Sequence, residues 1–386
     1  MKDSYLEQVV ELGDDASRML FEACKATWSI REGRYGQVNA DLDNFRGARH
    51  WSIAPLLEME PENLAGIIFD QQADGIGTKV LVSQRSSSYG GAAFDMLAMA
   101  ADDAAAKGFE PVLVTTVLDV NRFTDRNKPQ ARELALGAVE AARKARVALY
   151  GGETAVLGSI IGGYGNPDKH LHFSWSGTVH AVAHKNRVID GTEVRPGMAI
   201  VGLQETGLRS NGITKVRDTL RAKHGPNWHR KPFETEAGIT TLGQAVLQGS
   251  IIYTPVFMDA TGGYDLSVDQ RSKVEGAAHI TGGGVNKLIE MLAVSGYGAD
   301  IDDPFEPPEI MKEVLRAAQM PDRTSYNTLH MGSGMVAVTS EPDKFIGIAA
   351  DNDVEAKVIG VVRKEPGAAI RSAGVTAPGR KLKFAA

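Results

Sequence analysis

Sulfur chemistry is nearly absent from this sequence. One cysteine, Cys24 in FEACKATW, stands among 386 residues. No disulfide can close within the chain, so the expected compartment is a reducing cytoplasm. No apolar run approaches the roughly 20 residues of a membrane span. The opening MKDSYLEQVVELGDDASRM has no apolar stretch of the kind a secretory leader carries. Long runs of Lys or Arg are missing too, and the formal net charge is −6. Non-specific binding to nucleic acid or to an anionic membrane is therefore not expected. His170, His172, His180 and His184 alternate along one stretch without cysteine partners, and no Gly-x-Ser-x-Gly elbow occurs. A Cys/His metal cluster and covalent catalysis by a nucleophile are both unsupported.

Glycine is abundant: 42 residues, roughly 11% where about 7% is usual. The glycines sit in short motifs between periodic segments. Length predicts two to three domains. The spacing of Val9, Leu12, Ala16, Leu20 and Ala23 predicts a helix over 4–24. LAGIIFDQQ reads as a strand, GGAAFDMLAMAADDAAAKG as a helix stopped by Gly108, and EPVLVTTVLDV as a buried strand. KPQARELALGAVEAARKA is an amphipathic helix with Pro129 early and basic residues late. Strands follow at RVALYGGET and HLHFSWSGTVHAVAHK. NRVIDGTEVRPGMAIVGL has the texture of a crossing between domains. The expected domains are residues 1–183 and 184–386. The second contains helices near 211–223 and 239–248, a strand KVEGAAHI, a Gly-rich turn into the helix of TGGGVNKLIEMLAVSG, a helix PEIMKEVLRAAQ, a strand GMVAVTS, a helix PDKFIGIAADN and a strand EAKVIGVVRK. Alternating strands and helices make the class α/β or α+β.

Four glycine-rich turns lie beside an acid, a histidine or an amide. The first, Asp74-Gly75-Ile76-Gly77-Thr78-Lys79, resembles a phosphate loop with its lysine displaced. Glycines let a backbone approach a ligand closely, and Lys79 can meet a phosphate. Asp74 would repel phosphate unless a divalent cation lay between them, and Mg²⁺ is typically held by one or two carboxylates plus substrate phosphates. Asp95, Asp102 and Asp103 share one predicted helix. Asp95 and Asp102 fall about 20° apart around it and Asp103 about 80° away. These acids either bind metal or form a solvated edge, with Lys107 pairing Asp103. Gly151-Gly152-Glu153-Thr154 follows an apolar strand, where α/β proteins place ligands. Glu153 is a metal ligand or a turn acid. His279-Ile280-Thr281-Gly282-Gly283-Gly284 opens a helix whose amides can meet an anion. His279 is an acid–base group, a phosphate ligand or a structural histidine. Ser210-Asn211-Gly212 is a turn first and a substrate contact second.

In their order, DGIGTK, AMAADDAAAKGFEP, LYGGETA, VIDGTEVRPGMAIVGL, SNGITKVR and AHITGGG resemble the phosphoribosylformylglycinamidine cyclo-ligase (aminoimidazole ribonucleotide synthetase) family across roughly residues 65–380. The resemblance implies two α/β domains, the first pairing across a homodimer into a barrel-like sheet with ATP near that interface. It implies an ATP-dependent ligase of purine biosynthesis. Such an enzyme phosphorylates the amide oxygen of formylglycinamidine ribonucleotide and closes the imidazole ring. It further implies that Asp74 and Asp103 hold Mg²⁺ with Asp95 and Glu153 as helpers. Gly75, Gly77, Thr78, Lys79, Gly152 and Thr154 would bind ATP, and Lys79 and His279 would serve catalysis. Ser210, Asn211, Thr281, Gly282 and Gly283 would face the substrate.

The chain departs from the family pattern at Asp102, where Asn is usual, at Thr116, where Asp is frequent, and at His330, where Asn precedes Gly-x-Gly-Met. The stretch NFRGARHWSIAPL has one glycine where the family has several. Rival readings are another ATP-dependent relative such as thiamine-monophosphate kinase, which LGDDAS echoes, and a non-catalytic nucleotide-binding partner subunit. Selenophosphate synthetase and the hydrogenase-maturation dehydratase fit poorly. Cys24 lies in a helical stretch, and RKLKFAA ends without cysteine.

Overall fold

Two open sheets order the chain, one built from each half of the sequence. The computed structural model describes residues 16–35, 37–38, 65–235 and 238–385. The expected helix positions Val9 and Leu12, the LGDD of LGDDAS and the segment NFRGARHWSIAPL lie outside the described residues.

Helix α1 (Ala16–Lys25) precedes β1 (Ile67–Gly75), α2 (Val80–Ser86), α3 (Ala92–Ala105), β2 (Glu110–Val120), α4 (Lys128–Ala145), β3 (Ala148–Val156) and β4 (Phe173–His184). The first sheet runs β1-β4-β2-β3. Its β2–β3 pair is parallel and is joined by α4, as a parallel crossover requires. Strand alternation divides the sheet's faces. Val114, Leu118, Trp175 and Val179 are buried toward α3 and α4, while Phe69 and Val117 stand on the open face at 54% and 44% exposure. Helix α3 is almost wholly Ala, Leu and Met between its acids, which suits a buried helix. It gives out at Gly108, whose φ is +81°, and a Cβ there would sit 2.4 Å from the Arg187 carbonyl oxygen.

The second half supplies β5 (Ala199–Gln204), α5 (Ile213–His224), β6 (Pro232–Thr235), β7 (Gly238–Thr241), α6 (Leu242–Val246), α7 (Thr254–Thr261), β8 (Gly276–His279), α8 (Asn286–Ala293), β9 (Gly298–Ile301), α9 (Glu309–Ala318), α10 (Asp322–Thr328), β10 (Ser333–Thr339), α11 (Pro342–Asp351), β11 (Ala356–Arg363), β12 (Gly367–Arg371) and β13 (Lys381–Phe384). Seven strands form one sheet in the order β13-β12-β9-β11-β5-β10-β8. Its apolar core includes Ile200, Leu288, Val314 and Val338.

Two expectations change here. The helix expected over 239–248 is confined to Leu242–Val246. The β-branched residues before it pair with β6 instead, and the Thr241 side chain caps α6 by accepting from Gln244 N–H. Asp74 and Gly75, expected in a loop, are the last two residues of β1 and pair with Gly177 and Ser176. Among the described residues no helix is long and apolar enough to cross a membrane.

Candidate active site between the two sheets

Three of the glycine-rich turns meet where the two sheets join. The turn after β1 brings Gly77 and Thr78 beside the segment that opens α5. A Cβ on Gly77 would lie 4.0 Å from the Ser210 carbonyl oxygen, and the hydroxyls of Thr78 and Thr214 are 3.0 Å apart. Gly77, with φ +57°, takes a backbone form that glycine reaches without strain. An open cleft of about 620 Å³ here is lined by Thr78, Ser210, Asn211, Thr214, Lys215 and Asp218, among others. Asn211 also borders Thr281 and His330, and a Cβ on Gly282 would come 3.3 Å from its side-chain nitrogen. Ser210, Asn211, Thr281 and Gly282 therefore gather at one place. Gly283 looks toward the side chain of Lys287. Gly284, with φ +53°, turns so tightly that a Cβ would sit 2.0 Å from the Tyr326 carbonyl oxygen.

Buried ion pairs lie beneath this cleft. Arg209, next to Ser210, donates to Glu205 at 2.8 Å and to Asp102 at 3.1 Å. It also donates to the carbonyls of Ile251 and Ala98. Asp102 accepts in addition from the backbone N–H groups of Tyr253 and Thr254 and from the Thr254 hydroxyl. Burial opposes the charge on Arg209, yet Glu205 and Asp102 outweigh it and hold its pKa above the ordinary guanidinium value. His279 joins the cluster. Its Nε2 lies 2.7 Å from Arg209 Nη2 and its Nδ1 2.6 Å from Asp103 Oδ1. Although partial burial opposes it, that contact helps hold the Asp103 carboxyl below its usual pKa.

Lys79 points inward. Its ammonium donates to Asp95 at 2.8 Å and to the carbonyls of Leu208 and Gln248 at 2.6 and 2.9 Å, with 1% of the side chain exposed. Asp95 also accepts from the Ser250 backbone and hydroxyl. The pair thus ties the end of the Asp74–Lys79 turn to the second half, and neither group opens onto the cleft.

The four carboxylates read as metal ligands do not gather into one cluster among the described residues. Asp74 shares a cross-strand row with Gly177, Thr116 and Gly152, whereas Glu153 belongs to the neighbouring row of Val117, Ser176 and Gly75. The two acids therefore leave opposite faces, about 14 Å apart across three strand spacings. Asp95 and Asp103 are eight residues apart on α3, about 12 Å along the axis. Among the described residues no three His, Cys, Asp or Glu side chains come together as a metal would require. Gly152, Glu153 and Thr154 line a separate hollow of about 60 Å³ with Thr116, Trp175 and Cys24. Sequence reading missed Arg209, Glu205 and Gln248. Arg209 lies inside GLRSNG, but a side chain's reach across the fold leaves no local mark.

The chain matches the family models for the N-terminal domain of AIR synthase related proteins over residues 65–178 and for their C-terminal domain over residues 195–372. It is an AIR synthase related protein, with both domains of that class in their usual order. Its relatives include the phosphoribosylformylglycinamidine cyclo-ligase of Methanococcoides burtonii, 33% identical over 271 residues (70% of this chain, 73% of that one). That of Thermococcus kodakarensis is 29% identical over 361 residues, 93% and 95% of the two chains. The chain belongs to the phosphoribosylformylglycinamidine cyclo-ligase family and is an enzyme of the ligase class. E. coli HypE shares the fold, with a TM-score of 0.56 at 15% identity over 94% of this chain and 96% of that one.

Proposed function

We propose that the protein is an ATP-dependent cyclo-ligase of purine biosynthesis that converts formylglycinamidine ribonucleotide to aminoimidazole ribonucleotide. The observation that carries this reading is the meeting of Gly77–Thr78 and Ser210–Gly212 around one open cleft, with Thr281 and Gly282 beside Asn211. An amide oxygen is a poor leaving group, and phosphorylation turns it into a good one. The neighbouring nitrogen then attacks that carbon, phosphate departs and the ring closes. Such a reaction needs donors that position phosphoryl and ribonucleotide oxygens. Glycine backbone N–H groups, Asn211 and the hydroxyls of Thr78 and Thr281 supply them, and Lys215 adds positive charge at the rim.

ATP as phosphoryl donor is supported by a HypE structure described as a complex with ATP, which shares this fold at a TM-score of 0.52 and 14% identity over 86% of this chain. Gly152 and Thr154 are assigned to the nucleotide. Magnesium is assigned to the nucleotide's own phosphates, a mode that needs only one or two protein carboxylates. The open face of the first sheet, with Phe69 and Val117 exposed among Gln71, Thr115, Ser176 and Thr178, supports a homodimer that pairs these sheets into a barrel. A cytoplasmic location accords with the single cysteine.

Purified protein given ATP, Mg²⁺ and formylglycinamidine ribonucleotide should release ADP in equal amount to aminoimidazole ribonucleotide. ADP without the imidazole would overturn the cyclo-ligase reading in favour of a kinase such as one acting on thiamine monophosphate. Nucleotide binding without turnover would identify a partner subunit.

A further inference from the structure

His279 looks like an acid–base residue from its sequence, but its two neighbours determine its protonation. A guanidinium donates hydrogen bonds and accepts none. Arg209 Nη2 lies 2.7 Å from His279 Nε2, so that nitrogen is bare and its lone pair is already engaged. The ring proton then sits on Nδ1, 2.6 Å from Asp103 Oδ1, and is donated to that carboxylate. Only the neutral Nδ1–H tautomer satisfies both contacts. The His279 side chain is 2% exposed, against 41% for Asp103, so the imidazole bridges a buried cation and a carboxylate that reaches solvent.

We infer that His279 is a positioning residue of fixed tautomer: it neither takes nor gives a proton in the reaction, and it holds Arg209 and Asp103 in place. The inference rests on the cyclo-ligase reading. Each contact leads to a functional element. Arg209 immediately precedes Ser210 and Asn211, and its other bonds to Asp102 and Glu205 fix where that segment lies. Asp103 is carried on α3 from the first half, while His279 ends β8 of the second and leads into Thr281–Gly284. The ring therefore ties three segments that come from both sheets. An acid–base role would need Nε2 or Nδ1 to face substrate, and both are occupied within the protein.

A side-chain amide offers an acceptor and a donor on adjacent atoms but does not titrate near neutral pH. His279→Ala should lose at least thirtyfold in kcat/KM, and His279→Gln should recover most of that loss. Both limbs of its pH–rate profile should stay where the wild type has them. A folded His279→Gln protein that loses a limb, together with the hundredfold or more expected for removal of a general acid or base, overturns the inference. Nitrogen-15 spectra of histidine-labelled wild-type protein test it without mutation. They should show Nδ1 protonated and Nε2 bare in the folded protein, and a proton on Nε2 overturns it. Wild-type protein that makes no aminoimidazole ribonucleotide while showing the fixed tautomer would refute the cyclo-ligase reading and leave the assignment of the ring standing.

Discussion

Arg209 Nη2 and Asp102 Oδ2 lie 3.1 Å apart, one from each half of the chain, with 2% and 0% of their side chains exposed. Lys79 makes the opposite crossing, from the first half to the carbonyls of Leu208 and Gln248. The two cations bracket the segment that ends in Ser210 and Asn211.

Truncating Asp102 would leave buried Arg209 with Glu205 as its one remaining carboxylate. Asp102→Ala should lower the unfolding free energy by about 3–5 kcal/mol, read from denaturant midpoints at an unchanged slope. Combined with Arg209→Met, the loss should fall well short of the sum of the two single losses. Strict additivity would show that the pair is not coupled.

Lys79→Ala should weaken folding by a similar amount, about 3–5 kcal/mol, because Asp95 then keeps only its Ser250 donors. Calorimetry of ATP binding, run well below the unfolding transition, should give a dissociation constant close to wild type. A large loss of nucleotide affinity in folded protein would return Lys79 to the phosphate role its sequence context suggests.

His330 makes acid sensitivity testable. It is buried, Nδ1 accepts from Gly332 N–H and Nε2–H donates to the Gly207 carbonyl, an arrangement only the neutral ring provides. Burial pushes its pKa down from 6.5 to about 4. Below pH 6.5 the unfolded chain takes up a proton that the folded one refuses. Stability from this group is therefore complete above that value and drains away as pH falls toward 4. Wild type should lose stability faster than His330→Asn across that window, by at most about 1.4 kcal/mol per pH unit. Parallel curves for the two proteins would contradict the shift.

Gly284 and Gly283 should answer differently to alanine. At Gly284 the positive φ and the Tyr326 carbonyl leave no space for a methyl group, and Gly284→Ala should cost at least about 1–3 kcal/mol. The methyl at Gly283 would meet only the flexible Lys287 side chain at 3.3 Å or more, so Gly283→Ala should leave the melting temperature nearly unchanged.

Helices α3 and α4 were legible in sequence because their signals are local: an Ala/Leu/Met run with a glycine stop, and an early proline with late basic residues. Strands β9, β12 and β13 were not, because each has four or five residues and owes its state to distant partners. Gly367, for example, pairs with Gly298. The same contrast runs through the candidate site. Its turns could be read from glycine spacing, but the fate of the acids could not. Asp95 and Asp102 point toward the second half as helical spacing placed them, and cations from distant segments, Arg209 being 107 residues from Asp102, occupy the positions expected of metal.

The crossed placement of Lys79 and Arg209 also bears on how such a chain can be divided. A cut between His184 and Ala199 would strand Asp102 without Arg209 in one fragment and leave Arg209 with Glu205 alone in the other, while Lys79 would keep Asp95 and lose its two carbonyl acceptors. The halves cannot be dealt out as interchangeable cassettes, and any genetic rearrangement that keeps one must carry its companion along.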